Sequence, residues 1–306
     1  MPQEPDAASA PSPPSVLEAR PLGPLGSARR SRMLRGGRAG AVSATSTVVF
    51  LGLIVLAFLL APGSAEVRHY FFNFSDMRQA FLGDPAKGLA SVGDGFVLNI
   101  EMFLVSEALV LVLALIVAIV RLQHSPVFFP LRVLATIYAD LMRGVPTLLV
   151  IYAIGFGIPA LQIHFLSTQS SVVYGVAALV LSYSAYVSEV YRAGINSVPN
   201  HQVAAARSLG LGHWQALRHV VLPQAVRTVI PPLLNDFISL QKDTALVSVL
   251  GTIETLRAAE IYGDTAFSYA GLTVAAILFL LVTIPLARFT DRLIAKDRAR
   301  RLAGAR

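Results

Sequence analysis

The sequence has 306 residues, of which 55% are hydrophobic and only 14% are charged, whereas about 25% are charged in typical soluble domains. Its formal net charge is +7. The basic residues lie at the ends of apolar runs and form no stripe with interleaved aromatic residues, which argues against nucleic-acid binding. The absence of cysteine excludes disulfides and thiolate chemistry. Long uncharged runs between charged junctions instead indicate an integral membrane protein.

The N-terminal segment, residues 1–43, is rich in Pro, Ala, Gly and Arg. Such a segment has too little apolar surface to fold, so we predict a disordered, basic cytoplasmic tail. The apolar run Ala41–Ala61 holds 21 uncharged residues. This run is longer than the core of a cleaved signal peptide, which is the competing interpretation, and we predict a retained first span.

Six transmembrane helices are predicted, because a helix needs about 20 residues to cross the hydrocarbon layer. They are Ala41–Ala61, Phe96–Val120, about Leu131–Ala160, Val172–Tyr191, about Ala225–Leu250 and Tyr269–Ala287. The third is interrupted at Arg143-Gly144-Val145-Pro146, and both the third and the fifth contain charged residues. The predicted fold is therefore an all-α integral membrane protein.

The distribution of Lys and Arg predicts the orientation of these spans. Of the 25 basic residues, 18 lie in the termini and connections on the side of the N-terminus, four lie on the opposite side, and three lie within spans. Both termini are therefore predicted to be cytoplasmic, and residues 291–306 form a second basic tail.

The cytoplasmic connection 191–227 has four arginines, three histidines and no acidic residue. Asn200 is predicted to be the N-cap of a short helix, which ends at Gly210-Leu211-Gly212. A second helical stretch is expected over His213–Leu222, ending at Pro223. From the physics of the residues alone, an ordinary interfacial helical hairpin and a functional loop remain open.

Residues of this connection resemble the cytoplasmic Glu-Ala-Ala loop of the permease subunits of ATP-binding-cassette importers. The matching residues are Ala204, Ala205, Ala206, Gly210, Val220, Val221, Leu222 and Pro223. The family pattern is Glu-Ala-Ala, three residues, Gly, nine residues, then an aliphatic residue, any residue and Leu-Pro, and the spacing matches throughout. The family's Glu is Ala204 here, so a charge-assisted contact worth about 1.5–3 kcal/mol is missing.

Three further segments resemble the branch of this family that takes up polar amino acids of the histidine, glutamine and arginine type. They are Met142–Pro146, Ser184–Glu189 with Arg192, and Gln241–Gly251. The resemblance implies a five-span permease domain over residues 96–290, with a coupling loop at 198–223. Residues 44–95 then form an additional N-terminal span and its outer loop.

The resemblance also implies a multi-subunit machine in the plasma (inner) membrane of a prokaryote. The sequence has no Gly-x4-Gly-Lys-Ser/Thr run to cradle phosphates, so ATP hydrolysis is expected on a separate ATP-binding subunit, present as a dimer, that docks on the coupling loop. A second permease subunit, the same or different, and an extracytoplasmic amino-acid-binding protein are the other expected partners, with membrane lipid around the spans. No catalytic residue, metal site or cofactor is predicted.

Charged residues within the predicted spans are candidates for the substrate pathway, because charge at bilayer depth normally faces a cavity or a partner. The pathway candidates are Glu189, Lys242, Asp243 and Thr244. For the pair Lys242-Asp243, mutual neutralisation in a structural role is the alternative, and for Glu189 the alternative is capping or gating. Asp140 and Arg143 are three residues apart, which predicts a local ion pair.

Two other functions compete with the importer hypothesis. A secondary transporter driven by an ion gradient is favoured by internal inverted repeats, and none is evident. A membrane metalloprotease requires His-Glu-x-x-His, which is absent, and all six histidines lie outside the predicted spans. The sequence therefore favours a permease subunit that is not itself an enzyme.

Overall fold

The computed structural model describes residues 38–123 and 125–304, and within this part the regular secondary structure is helical. One isolated antiparallel bridge joins Asp84 and Leu89. The prediction of an all-α fold is confirmed. Most of the predicted N-terminal tail, residues 1–37, and the last two residues of the C-terminal tail lie outside the described residues.

The α-helices are described here in chain order. They are α1 (Arg38–Leu60), α2 (Ser64–Phe71), α3 (Phe74–Leu82), α4 (Val92–Leu122), α5 (Phe129–Gly144), α6 (Thr147–Ala160), α7 (His164–Ser167), α8 (Ser171–Asn196), α9 (Asn200–Ser208), α10 (His213–Ala216), α11 (Leu222–Asp243), α12 (Thr255–Ala266) and α13 (Ala270–Gly304). Short 3₁₀ helices occur at Pro85–Lys87, Pro126–Phe128 and Thr244–Leu250, and a π-helical segment occurs at Leu217–Val221.

Four of these helices are long and apolar enough to cross a membrane: α1, α4, α8 and α13. α5 and α6 pass the same test only as a pair, and their axes differ by 110° at a short break, so together they form either a broken span or a re-entrant loop. The predicted interruption of the third span is thus confirmed. Val145 has φ −101° and ψ 131°, the extended conformation that a following proline imposes, and Pro146 has no N–H to continue the helix.

The fifth predicted span corresponds to α11 and the 3₁₀ helix that follows it. α11 has 22 residues, enough to cross, but it contains three prolines and four charged residues and is too polar to qualify by composition. The count of six spans and the cytoplasmic position of both termini stay predictions.

The chain divides into two compact units, Met1–Ala65 and Glu66–Arg306. In the described part of the first unit, α1 begins at Arg38, within the predicted tail, and its side chains from Gly40 onward are not buried. This predominantly apolar helix therefore suits a lipid environment. A turn follows it, in which the hydroxyl of Ser64 donates to the carbonyl of Leu59 (3.0 Å).

The second unit is organised around α8, which packs against α4, α5, α6 and α11. Its buried apolar side chains belong to a cluster that includes Met102, Phe103, Val150, Leu179 and Leu240. A second cluster joins α3, α12 and α13 through residues such as Ala80, Tyr262 and Val274. α4 contributes to both clusters and therefore links the two parts of this unit.

Small residues allow several helices to approach closely, as is usual for helices packed in a membrane. A Cβ at Gly95 of α4 would lie 2.6 Å from the backbone carbonyl carbon of Glu254 and 2.7 Å from the backbone nitrogen of Thr255. Backbone atoms cannot rotate away as a side chain can. Gly95 is therefore required where α4 meets the start of α12.

We predict that Gly95→Ala lowers the free energy of unfolding of the detergent-solubilised chain by about 1–3 kcal/mol, the usual cost of overpacking. Its melting temperature should fall accordingly. Gly157→Ala in α6 is the matched control, because a Cβ there meets no atom within 4 Å, and alanine is the better helix former. The measurement is the melting temperature of both variants. Equal melting temperatures would contradict the close approach of α4 and α12.

Candidate functional site

The predicted coupling loop begins with α9, which ends in a Schellman motif. Gly210 has φ +89°, a conformation that L side chains rarely adopt and that glycine tolerates. The N–H of Gly210 donates to the carbonyl of Arg207 (3.0 Å), and the N–H of Leu211 donates to the carbonyl of Ala206 (3.2 Å). These two bonds satisfy carbonyl groups at the helix end and fix the direction of the turn.

The second half of the loop is continuous with a membrane helix. α10 begins after Gly212, whose N–H donates to the side-chain oxygen of Gln215 (2.9 Å). The π-helical segment Leu217–Val221 then leads directly into α11. The predicted helix end at Pro223 is wrong, because this proline lies in the first turn of α11, where its missing N–H is tolerated.

The start of α9 also differs from the prediction. Pro199 is the N-cap and makes no side-chain hydrogen bond, and Asn200 is the first helical residue. The fixed φ of proline suits a helix start without a capping side chain. The two arms of the loop are held together by the amide of Gln224, which donates to the side-chain oxygen of Gln202 (2.7 Å).

The residues of the Glu-Ala-Ala pattern divide between a packed and an open face. Ala206 and Val221 are buried and Val220 is half-buried, whereas the other pattern residues are exposed: Ala204, Ala205, Gly210, Leu222 and Pro223. Two larger apolar side chains share the open surface, Leu209 at 82% exposure and Trp214 at 77%. The open face of the hairpin therefore combines apolar side chains with basic residues and no carboxylate.

Glu189 lies at the centre of an ion-pair cluster that joins three helices. Its carboxylate accepts a hydrogen bond from Arg121 of α4 (2.9 Å) and another from Arg192 of α8, and Arg143 of α5 lies 3.8 Å away. The predicted pair between Arg143 and Asp140 is wrong, because Arg143 extends across to Glu189 instead. Cross-helix contact of this kind favours the gating alternative for Glu189 over substrate contact.

A cleft of about 360 Å³ lies beside this cluster, between α5, α8 and α11. Glu189, Arg143 and Tyr186 form one side, and Thr228, Pro232 and Asp236 form the other. One carboxylate oxygen of Asp236 is buried and has no hydrogen-bond partner among the described residues. The lining of the cleft is mostly apolar, with charged groups at Arg143, Glu189 and Asp236, and its two sides belong to different helices.

Lys242 and Asp243 lie at the end of α11 farther from the coupling loop. Lys242 is exposed and Asp243 is half-buried. Asp243 accepts a hydrogen bond from the hydroxyl of Tyr183 (2.8 Å). Tyr183 and Glu189 are six residues apart on α8, or about 9 Å along its axis, so the candidate pathway residues lie at two depths and do not share one site.

Thr244 is fully buried and belongs to a polar network that ties α11 to α4 and α12. The amide of Asn99 donates to the hydroxyl of Thr244 (3.0 Å), and its oxygen accepts from both the N–H (3.0 Å) and the hydroxyl (2.6 Å) of Thr255. In this conformation Thr244 is inaccessible to a substrate. Of the three pathway candidates at this end of α11, only Lys242 and Asp243 are accessible.

The same network includes the buried carboxylate of Glu254, which caps α12. It accepts hydrogen bonds from the N–H groups of Leu256 (3.0 Å) and Arg257 (2.9 Å). Burial raises the pKa of Glu254 above its ordinary value, and the two N–H groups oppose that rise by stabilising the carboxylate. The network is thus satisfied by hydrogen bonds and fixes the start of α12 on α4.

No sequence pattern predicted a role for Asn99, Arg121 or Trp214. Trp214 is the only tryptophan of the chain and lies in a polar basic connection, which is a signal that sequence reasoning can detect. Arg121 interrupts an otherwise apolar run near its end, which is the common position of an interfacial arginine. Asn99 has no local signal, because its partners lie 145 and 156 residues away in the chain.

Comparison with known proteins gives matches to one kind of membrane protein. Residues 110–298 match the family model described as the binding-protein-dependent transport system inner membrane component. The probable glutamine ABC transporter permease protein GlnM of Bacillus subtilis is 34% identical over 195 residues, which cover 63% of this chain and 87% of that protein. The L-cystine transport system permease protein TcyB of the same organism is 35% identical over 214 residues, with coverages of 66% and 87%.

A solved structure shares the fold. The crystal structure of an amino acid ABC transporter with histidines has a TM-score of 0.61 and 28% identity, and the match covers 67% of this chain and 93% of that one. The family match extends from α4 into α13 and so includes the coupling loop and the pathway candidates. This multi-pass membrane protein therefore belongs to the family of inner membrane components of binding-protein-dependent transport systems.

Proposed function

We propose that the chain is the transmembrane permease subunit of an ATP-driven importer of polar amino acids. The observation that carries the proposal is the hairpin α9–Gly210–α10, which presents exposed side chains and is continuous with α11. The names of relatives such as GlnM and TcyB, which are glutamine and L-cystine permeases, support an amino acid as the substrate.

The exposed face of the hairpin suits docking of an ATP-binding subunit. Trp214 and Leu209 expose most of their surface, and tryptophan is strongly enriched among residues that dominate binding energy. Arg207 and Arg218 are exposed nearby, so a partner with acidic groups at its rim is electrostatically complementary. These apolar and basic contacts compensate in part for the carboxylate that is missing at Ala204.

Three partners complete the proposed machine. A dimer of ATP-binding subunits supplies nucleotide hydrolysis, because the sequence has no phosphate-cradling loop. A second permease subunit, the same or different, forms the other half of the pathway. An extracytoplasmic binding protein delivers the amino acid, as expected for a binding-protein-dependent system.

The pathway itself is assigned to the far end of α11. The exposed Lys242 and half-buried Asp243 offer one cation and one anion side by side, which matches the two charges of a zwitterionic amino acid. The Glu189 cluster lies about 9 Å farther along α8 than Tyr183, the partner of Asp243, toward the coupling loop. We assign it a gating role, because its ion pairs join three helices that must separate to open a path.

The topology can be tested by labelling, since the chain has no native cysteine. We predict that Phe165→Cys reacts with a membrane-impermeant maleimide in intact cells, and that Leu209→Cys reacts only after permeabilisation. Both parent side chains are well exposed, at 75% and 82%, so in cells that produce the chain without ATP-binding subunits their accessibility differs only through the membrane. Labelling of Leu209→Cys in intact cells would show that the topology is opposite to the predicted one. The hairpin would then lie outside the cell and could not bind a cytoplasmic ATP-binding subunit.

We predict that Gly210→Val abolishes amino acid uptake without preventing membrane insertion. A valine at positive φ is strained by about 1–2 kcal/mol or more, although no neighbouring atom lies within 4 Å of the added Cβ. The turn, and not the packing, is therefore what changes. The measurements are uptake of a panel of labelled amino acids and recovery of the chain in the membrane fraction.

Gly212→Val is the matched control for this experiment. Gly212 has φ −65° and ψ 166°, a conformation open to any residue, so we expect uptake close to that of the parent chain. Normal uptake by Gly210→Val, with the control also normal, would show that the turn has no role in coupling.

We predict that Lys242→Ala lowers uptake and the stimulation of ATPase activity by substrate, because the carboxylate of the amino acid loses its partner. Lys87→Ala is the control: this exposed lysine pairs with Asp84 (3.3 Å) outside the predicted pathway, and its loss should leave both measurements unchanged. If Lys242→Ala has the same uptake kinetics as the parent chain, Lys242 does not bind the substrate and its role is structural.

A further inference from the structure

A second cleft, of about 310 Å³, opens at the end of the bundle that leads into the coupling loop. It is lined by Arg121, Arg132, Val133, Thr136, Ile137 and Arg192. The three arginines come from the last turns of α4 and α8 and from the first turns of α5. Arg121 and Arg192 also belong to the Glu189 cluster that is assigned to gating. Arg132 and the apolar wall of the cleft have no part in that cluster and require a separate explanation.

The arginines of this cleft carry more positive charge than the neighbouring carboxylate neutralises. Arg121 and Arg192 share a single partner, Glu189, which Arg143 also approaches. Arg132 forms no ion pair within the described part of the chain. It donates to the carbonyl of Gln123 (3.0 Å), which leaves other N–H groups of its guanidinium available. An anion in the cleft is therefore electrostatically favoured.

The remaining wall of the cleft is apolar and continues onto an exposed apolar face. Val133 and Ile137 line the cleft, and with Leu134 they leave 38%, 49% and 63% of their surfaces exposed, respectively. A small soluble anion gains nothing from such a wall. A ligand with a phosphate at one end and a hydrocarbon chain at the other matches both parts.

The position of the arginines along the helices agrees with this chemistry. α4 has 31 residues, or about 46 Å at 1.5 Å per residue, whereas the hydrocarbon layer is only about 30 Å thick. Arg121 is the second-last residue of α4 and so reaches the depth of the lipid headgroups. Basic clefts between helices at this depth bind anionic headgroups in membrane proteins.

We propose that this cleft is a binding site for the phosphate headgroup of an anionic phospholipid. Arg132 is the principal ligand, since its guanidinium can form a bidentate contact with phosphate. Arg121 and Arg192 add positive charge while they remain paired with Glu189. The acyl chains lie against Val133 and Ile137. The bound lipid thus completes the charge balance of the cluster that joins α4, α5 and α8.

The test uses native mass spectrometry of the full chain, purified in detergent with any subunits that accompany it. Phosphatidylglycerol and phosphatidylcholine with identical acyl chains are titrated separately. The parent chain should retain phosphatidylglycerol at least about tenfold more tightly. Arg132→Gln should remove that preference, a loss typical for one charge-assisted contact, and Arg132→Lys should restore part of it, because charge remains but the planar fork is lost.

Arg257→Gln is the matched control, since Arg257 pairs with Glu260 on α12 (2.9 Å), far from the cleft in the chain, and its loss should leave lipid retention unchanged. Equal retention of the two lipids by the parent chain, or an unchanged preference in Arg132→Gln, would overturn the proposal. Displacement of phosphatidylglycerol by millimolar inorganic phosphate would also overturn it, in favour of a soluble phosphate ligand. None of these measurements depends on transport, so they stand apart from the test of importer function.

Discussion

The second unit depends on the close approach of neighbouring helices to the backbone of α8. Lipid is as apolar as the helix surfaces, so burial alone does not hold such helices together, and van der Waals contact between small residues becomes decisive. Glycines of α8 meet the side chains of Val247 and Val229 so closely that a Cβ would lie within 2.3 Å and 2.1 Å of them. α11 and the 3₁₀ helix after it are therefore seated directly on the α8 backbone.

Polar contacts add direction to this packing. Along α8, the hydroxyl of Tyr183 donates a hydrogen bond to Asp243 at one depth. At another depth, Glu189 forms ion pairs with arginines from α4, α5 and α8. Asn99 then joins α4 to both Thr244 and Thr255. Buried polar groups that are fully paired specify one arrangement of helices, because any other leaves them unsatisfied. These polar contacts thus define how α11 and α12 pack in this conformation.

The predicted coupling loop is continuous with α11, which gives its proposed role a structural basis. From His213 to Asp243 the backbone is helical, first as α10, then as a π-helical segment, then as α11. The proposed docking face and the candidate pathway residues therefore occupy the two ends of one helical segment, whose α11 part is about 33 Å long. Pro231 and Pro232 weaken its hydrogen bonding near the middle of α11. In the proposed importer, an ATP-binding subunit that moves α10 would therefore act on the same element that carries Asp243.

The sequence by itself determined the features that depend on neighbouring residues: the apolar helices, the break before Pro146, the glycine turn at Gly210 and the family pattern around it. Hydropathy, proline and glycine act within a few residues, so their effects can be predicted locally. Only the tertiary structure decided that Arg143 pairs with Glu189 and not with Asp140, and that Asn99 binds Thr244. These partners lie 46 and 145 residues apart, and they meet because helix packing brings them together, which no local pattern encodes.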